Sequence, residues 1–179
     1  MSTVPDRQHA VNSQAADPAP DPASRTPAGD AFSGLVIRVF RLSGTLADEG
    51  DALARPAGQT TARWQVLAAV EDEPRSVADI ARALGLARQS VQRVADALES
   101  GGFVRYEDNP RHRRARHVVL TAEGRDALRL IQAEQRPWAD AIGSRIGSRD
   151  LERLNALLDR VADAVGAAAA ARVRDAGRA

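Results

Sequence analysis

SVADIARALGLARQSVQRVADALESGGFVRYEDNPRHRRARHVVLTAEG, residues 76–124, holds the pattern that decides the fold. Ser76 with Asp79 forms a Ser-x-x-Asp capping box, and Val77, Ile80, Ala81 and Leu84 repeat at helical spacing behind it. Gly85 supplies the left-handed residue that ends such a helix. A second helix follows from about Ala87 to Ser100, with Val91, Val94, Ala95 and Leu98 inward, and Gly101 and Gly102 terminate it. Phe103–Glu107 and Arg116–Leu120 then alternate apolar and polar residues, as a half-exposed hairpin does. Two helices about a glycine turn, then a two-stranded hairpin, make a helix-turn-helix with a wing.

Outward from this centre the chain reads as helical. Phe32, Leu35, Val36, Val39, Phe40 and Leu46 predict an amphipathic helix ending before Pro56. After a loop at Pro56–Gly58, Thr60 or Thr61 caps a helix through Val70, with Trp64, Leu67 and Ala68 on one face. Beyond the wing, Thr121 caps a long helix with Leu128, Ile131, Ala141 and Ile142 on its apolar side. Pro137 should kink or split that helix, and Gly143 and Gly147 should end it. Ser148 starts a last helix whose Leu151, Leu154, Leu158, Val161 and Val165 form a stripe suited to another helix, before an alanine-rich end that frays. Residues 1–30 carry five prolines and almost no large apolar side chain, which predicts a disordered tail. The expected fold is mainly α with a small antiparallel β wing. Its parts are a tail at 1–30, a dimerisation helix at 31–55, a winged helix-turn-helix at 57–121 and C-terminal dimerisation helices at 122–173. Amphipathic helices at both ends cannot bury their stripes well in one small monomer, so a homodimer is expected.

Composition narrows the function classes. With 44% hydrophobic residues the chain can build a core, and with 3% aromatics that core must be mostly Ala, Leu, Val and Ile. The absence of cysteine excludes disulfides, thiolate metal sites and thiol switches. No stretch reaches the roughly 18–20 apolar residues of a membrane span, and no signal-peptide core precedes residue 30, so a cytoplasmic protein is expected. No nucleophile–base set, Gly-rich phosphate loop or metal-spaced cluster stands out; His9 lies in the tail, His112 and His117 on the wing. An enzyme, a cofactor and a metal site are therefore not expected.

Charge is informative only locally, since the formal net charge is +1. Outward on the second helix of the central motif lie Arg88, Gln89, Ser90, Gln92 and Arg93, in the half of a recognition helix that meets base edges. Arg binds guanine O6 and N7 in bidentate fashion, Gln binds adenine N6 and N7, and Ser suits a phosphate. Taken alone, such a face equally suits a solvated helix; its place between the capped helix and the hairpin favours double-stranded DNA. Asp96 and Glu99 lie further along, in a solvated or ion-paired role. Arg111, Arg113, Arg114 and Arg116 crowd the hairpin tip with no carboxylate among them. Such charge self-repels unless a polyanion compensates it, and arginine on a protruding wing suits a narrow minor groove.

Several linked motifs together resemble the MarR family of bacterial winged-helix transcription regulators. They are Trp64-x-Val66-Leu67, the Ile80–Leu86 turn, Arg88-Gln-Ser-Val-Gln-Arg93, Leu98-Glu-x-x-Gly with Phe103-Val104, and Val119-Leu120-Thr121-x-x-Gly124. The resemblance spans roughly Phe32 to Val165. It implies a homodimer with intertwined terminal helices and two winged heads facing successive major grooves. It also implies that Arg88, Gln89, Ser90, Gln92 and Arg93 read DNA and that Arg113 and Arg114 are the wing-tip arginines. Two positions depart from the pattern: His112 stands where an Asp is common, and Ala87 where a Ser or Thr cap is usual. The family often answers to small aromatic effectors, for which Phe40, Arg41, Trp64, Arg136 and Trp138 are the candidate lining; for Trp64 and Phe40 plain core packing is the favoured reading. The expected function is that of a dimeric repressor of a near-palindromic operator, released by a small ligand. The alternatives are a winged-helix protein-interaction module and a ligand-independent DNA-binding protein.

Overall fold

The computed structural model describes residues 25–109 and 115–178. The chain divides into two compact units, Met1–Ser43 and Gly44–Ala179, and the boundary falls inside the first helix. That helix, α1, runs Pro27–Ala54. It starts earlier than the composition of the tail suggested, because Pro27 sits at the first helical position and the Thr26 hydroxyl accepts a hydrogen bond from the Gly29 N–H at 3.1 Å. The expected disordered tail lies outside the described residues as far as residue 24. In the first unit, Ile37 and Phe40 are exposed, Phe40 at 73%.

The second unit begins with the C-terminal part of α1 and a 3₁₀ turn, Arg55–Ala57. Helix α2, Thr61–Ala69, is capped by Thr60, whose hydroxyl accepts from the Arg63 N–H. Its start is also tied to α1: the Thr61 N–H donates to Asp51 at 2.6 Å and the Thr61 hydroxyl donates to the Ala47 carbonyl at 2.8 Å. The hydrogen bond from the Thr61 N–H holds the Asp51 carboxyl below its ordinary range. The buried face of α2 is Val66, Leu67 and Val70, whereas Ala68 is exposed. The face expected to join Trp64, Leu67 and Ala68 is thus split between core and surface.

A short strand β1, Arg75–Ser76, leads into α3, Val77–Leu84, and α4 follows at Arg88–Ser100. The Ser76 hydroxyl accepts from the Asp79 N–H at 3.2 Å and donates to the Asp79 carboxylate at 2.6 Å. That bond, and next Arg82, hold the Asp79 carboxyl below its ordinary range. Gly85 ends α3 at φ 65°, where a side chain would be strained. Strands β2, Val104–Glu107, and β3, His117–Leu120, form the wing with Tyr106 opposite Val118. The sheet has three strands in the order β1-β3-β2, not the expected two. Two residues are too few for alternation to reveal, and β1 pairs only because Arg75 meets Val118 across the fold.

Helix α5, Ala122–Ile146, is continuous through Pro137, and Gly143 lies inside it instead of ending it. Helix α6, Ser148–Ala176, continues through the alanine-rich segment expected to fray. Ala has the highest intrinsic helix propensity, so the run extends the helix. One core joins α2, α3, α4, the sheet and the start of α5: Leu67, Ile80, Val91, Leu98, Val118 and Leu128 are almost wholly buried. Each such side chain contributes roughly 1.5–3 kcal/mol by leaving water. Helix α6 buries no residue, and Leu154, Leu157 and Leu158 remain exposed.

The wing joins α5 at a close backbone approach. Thr121 caps α5 by accepting from the Gly124 N–H at 3.0 Å, and its hydroxyl faces the Gly102 and Phe103 carbonyls at 2.7 and 3.0 Å. A Cβ on Gly124 would lie 2.0 Å from the Phe103 carbonyl oxygen. The Thr-x-x-Gly pattern is a cap plus a site with no room for a side chain.

Candidate nucleic-acid interface

Helix α4 owes its position to Val91, Ala95 and Leu98, all buried, which turn the opposite face to solvent. Its N-terminus has no side-chain cap, because Ala87 in extended backbone has no acceptor to offer. A missing cap costs about 1 kcal/mol.

The outward residues fall into two sets. Arg88 and Gln92 line a cleft of about 360 Å³ toward the wing, shared with Asp96, Glu99, Tyr106 and Arg116. Ser90 and Arg93 line a shallower groove with Thr60 and Arg63 at the start of α2. Gln89 is exposed between them. Arg63 therefore joins the basic face from another helix, with no motif in the sequence to mark it.

The wing is tied to α4 by a hydrogen-bonded triangle. The Gln92 amide nitrogen donates to an Asp96 carboxylate oxygen and to the Tyr106 hydroxyl, each at 2.8 Å. The Tyr106 hydroxyl in turn donates to the same Asp96 oxygen at 2.8 Å. Burial first, and then Asp96, push the Tyr106 phenol well above its usual range, so it keeps the proton it donates. Asp96, expected to be solvated or ion-paired, is exposed, and it is also an acceptor for a strand and for its own helix. Its distance of four residues from Gln92 was the one available sign. Arg116 lies over the Tyr106 ring, 5.2 Å from the centroid, and donates to the Tyr106 carbonyl at 2.7 Å. It braces the base of the wing. Arg111, Arg113, Arg114 and His112 lie outside the described residues.

A second, mostly apolar cleft of about 510 Å³ lies between the C-terminal part of α1, α2 and α5. Trp64 and Trp138 both line it, with Leu46, Leu53 and Leu84. Arg136 is exposed and outside that lining; Phe40 and Arg41 are exposed residues of the first unit. Among the described residues no group of three His, Cys, Asp or Glu is placed to hold a metal ion. None of the described helices is long and apolar enough to cross a membrane.

A capped helix, a glycine turn, a helix with a basic outer face and an antiparallel wing define a winged helix-turn-helix DNA-binding protein. The chain belongs to the MarR family of transcription regulators, whose model matches residues 57–115. It is 38% identical over 146 residues to Uncharacterized protein Rv2011c of Mycobacterium tuberculosis, covering 82% of this chain and 89% of that one. It is 30% identical over 101 residues to the Transcriptional activatory protein BadR of Rhodopseudomonas palustris, covering 54% and 58%. Among solved structures, the transcriptional repressor CouR bound to a 23-mer DNA duplex matches 78% of this chain and 99% of its own, with TM-score 0.64 and 24% identity. CouR from Rhodococcus jostii has also been solved with p-coumaroyl-CoA bound, and that structure matches at TM-score 0.62 and 21% identity over 72% of this chain and 91% of its own. The chain is thus a DNA-binding transcription regulator and not an enzyme.

Proposed function

We propose that the chain acts in the cytoplasm as a homodimeric repressor of a near-palindromic operator and is released by a small aromatic ligand. The observation that carries the DNA-reading part is the outer face of α4, where Arg88, Gln89, Ser90, Gln92 and Arg93 stand opposite a wholly buried stripe. Gln89, Gln92 and Arg88 meet base edges. Ser90 and Arg93, with Arg63 beside them, meet phosphate. Arg111, Arg113, Arg114 and Arg116 carry the wing to the adjoining minor groove and its phosphates.

Dimerisation rests on apolar side chains left exposed in each unit. Ile37 and Phe40 are exposed in the first, and Ile142, Ile146, Leu154 and Leu158 in the second. Two reading heads on a two-fold axis favour half-sites about one helical turn apart. The ligand reading rests on the apolar cleft lined by Trp64 and Trp138 and on the CoA thioester named for the CouR structure. A ligand there favours a dimer whose reading helices no longer match the operator. BadR's name supports a second reading of the sign, an activator with the same DNA contacts.

Selection of duplexes from a random pool, followed by electrophoretic titration at several salt concentrations, tests the DNA reading. A near-palindrome should be enriched, and log affinity should fall with log salt by about 0.9 per phosphate neutralised. Binding that is indifferent to sequence would refute it. The two tryptophans give the ligand test: aromatic acids or their CoA esters should quench fluorescence and release the duplex, and Trp64→Leu should weaken both effects.

A further inference from the structure

We propose that Asp96 and Tyr106 are positioning residues for base recognition: they lock the Gln92 amide in one sense, so that it presents an acceptor beside a donor and selects an A·T pair. This rests on the DNA-reading role of α4. A glutamine amide is ambiguous by itself, since its oxygen and nitrogen ends differ little in shape and exchange by rotation about one bond. Here the ambiguity is removed chemically. The Asp96 carboxylate only accepts, so the nitrogen and not the oxygen of Gln92 must face it. The Tyr106 proton is committed to Asp96, so its oxygen also acts as an acceptor toward Gln92.

The triangle leaves the reading edge free. Its three sides are each 2.8 Å, so the two acceptors subtend about 60° at the nitrogen, whereas the two amide hydrogens of a planar NH₂ diverge by about 120°. Only one N–H can therefore be directed into the triangle, shared between Asp96 and Tyr106. The second N–H and Oε1 stay outside it. An acceptor next to a donor matches adenine N7 and N6–H₂ and mismatches guanine, which offers two acceptors there. Tyr106 belongs to β2, and its ring and carbonyl carry Arg116. The amide is therefore held from the wing as well as from its own helix.

The test uses the full-length chain and the duplex that it enriches from a random pool. Affinities are compared for that duplex and for single-base variants of each position. Gln92→Ala should abolish the preference for an A·T pair at one position of each half-site. Tyr106→Phe keeps the ring under Arg116 and removes only the hydroxyl; Asp96→Asn can donate to Oε1 and let the amide turn over. Each should lower the preference at that same position by about 2- to 12-fold, the cost of ordering one side chain on binding. The salt dependence should not change. Taking ratios between duplexes cancels any uniform change in affinity, and thermal melting confirms that each variant is folded. In the Gln92→Ala background, Tyr106→Phe should have no further effect. Unchanged preference in both Tyr106→Phe and Asp96→Asn, with Gln92 still required, would overturn this inference alone. A wild-type chain with no sequence preference would overturn the DNA-reading role and this inference together.

Discussion

Replacing Gly124 by alanine probes the joint on which the wing and α5 depend. The added Cβ would stand 2.0 Å from the Phe103 carbonyl oxygen, and it would meet the Phe103 carbonyl carbon at 3.0 Å and the Leu120 side chain at 3.2 Å. Since Cβ atoms essentially never come within 3.0 Å of another heavy atom, the two backbones must separate by about 1 Å. The Phe103 carbonyl cannot swing aside freely, because it accepts from the Thr121 N–H at 3.1 Å and faces the Thr121 hydroxyl at 3.0 Å. Overpacking of this kind costs about 1–3 kcal/mol, and more where the obstacle is backbone. Loosening the Thr121 cap adds about 1 kcal/mol. For a chain of this length each kcal/mol lowers Tm by about 2–4 °C, so Gly124→Ala should melt roughly 4–16 °C below wild type. Urea denaturation should show a lower midpoint with an unchanged slope. Alanine is otherwise the better helix former, so a melting point at or above wild type would refute the close-approach argument outright.

The uncapped start of α4 predicts the opposite sign for Ala87→Ser. Ala87 already has the extended backbone of a cap, so the hydroxyl should add about 1 kcal/mol to unfolding free energy, measured by urea titration. Asp51 predicts a pH dependence. Its folded pKa lies below the ordinary 3.8, so its charge contributes stability above that pH and loses it as pH falls through the folded value. Asp51→Asn should therefore be less stable than wild type at neutral pH, and the gap in urea midpoint should close on acidification below about pH 4. Leu154 and Leu158 are exposed on α6, so Leu154→Glu with Leu158→Glu should leave the winged core folded by circular dichroism. Sedimentation equilibrium should show these variants as monomers where wild type is a dimer; a wild-type monomer would remove the dimer reading.

Much of the fold is written in short-range chemistry. The Ser76 cap, the left-handed Gly85, the inward Val91–Ala95–Leu98 stripe and the alternation of the wing are all decided within a few residues, and periodicity exposes them. The same locality misleads elsewhere. Pro137 reads as a kink or a split, and α5 is not split there but runs on through it. Gly143 reads as a stop, yet no left-handed turn forms there and Gly147 terminates the helix instead.

The chain alone determined a winged helix-turn-helix with a basic outer face on its second helix, because helix period, caps and turns depend on neighbours in sequence. Only the tertiary structure decided what those parts do to one another. The third strand pairs Arg75 with Val118, the Gly124 site is emptied by Phe103, and Tyr106 reaches across to Asp96 and Gln92. Each of these joins segments brought together by burying the shared core, and a hydrogen bond 2.8 Å long across that distance in sequence leaves no periodic trace.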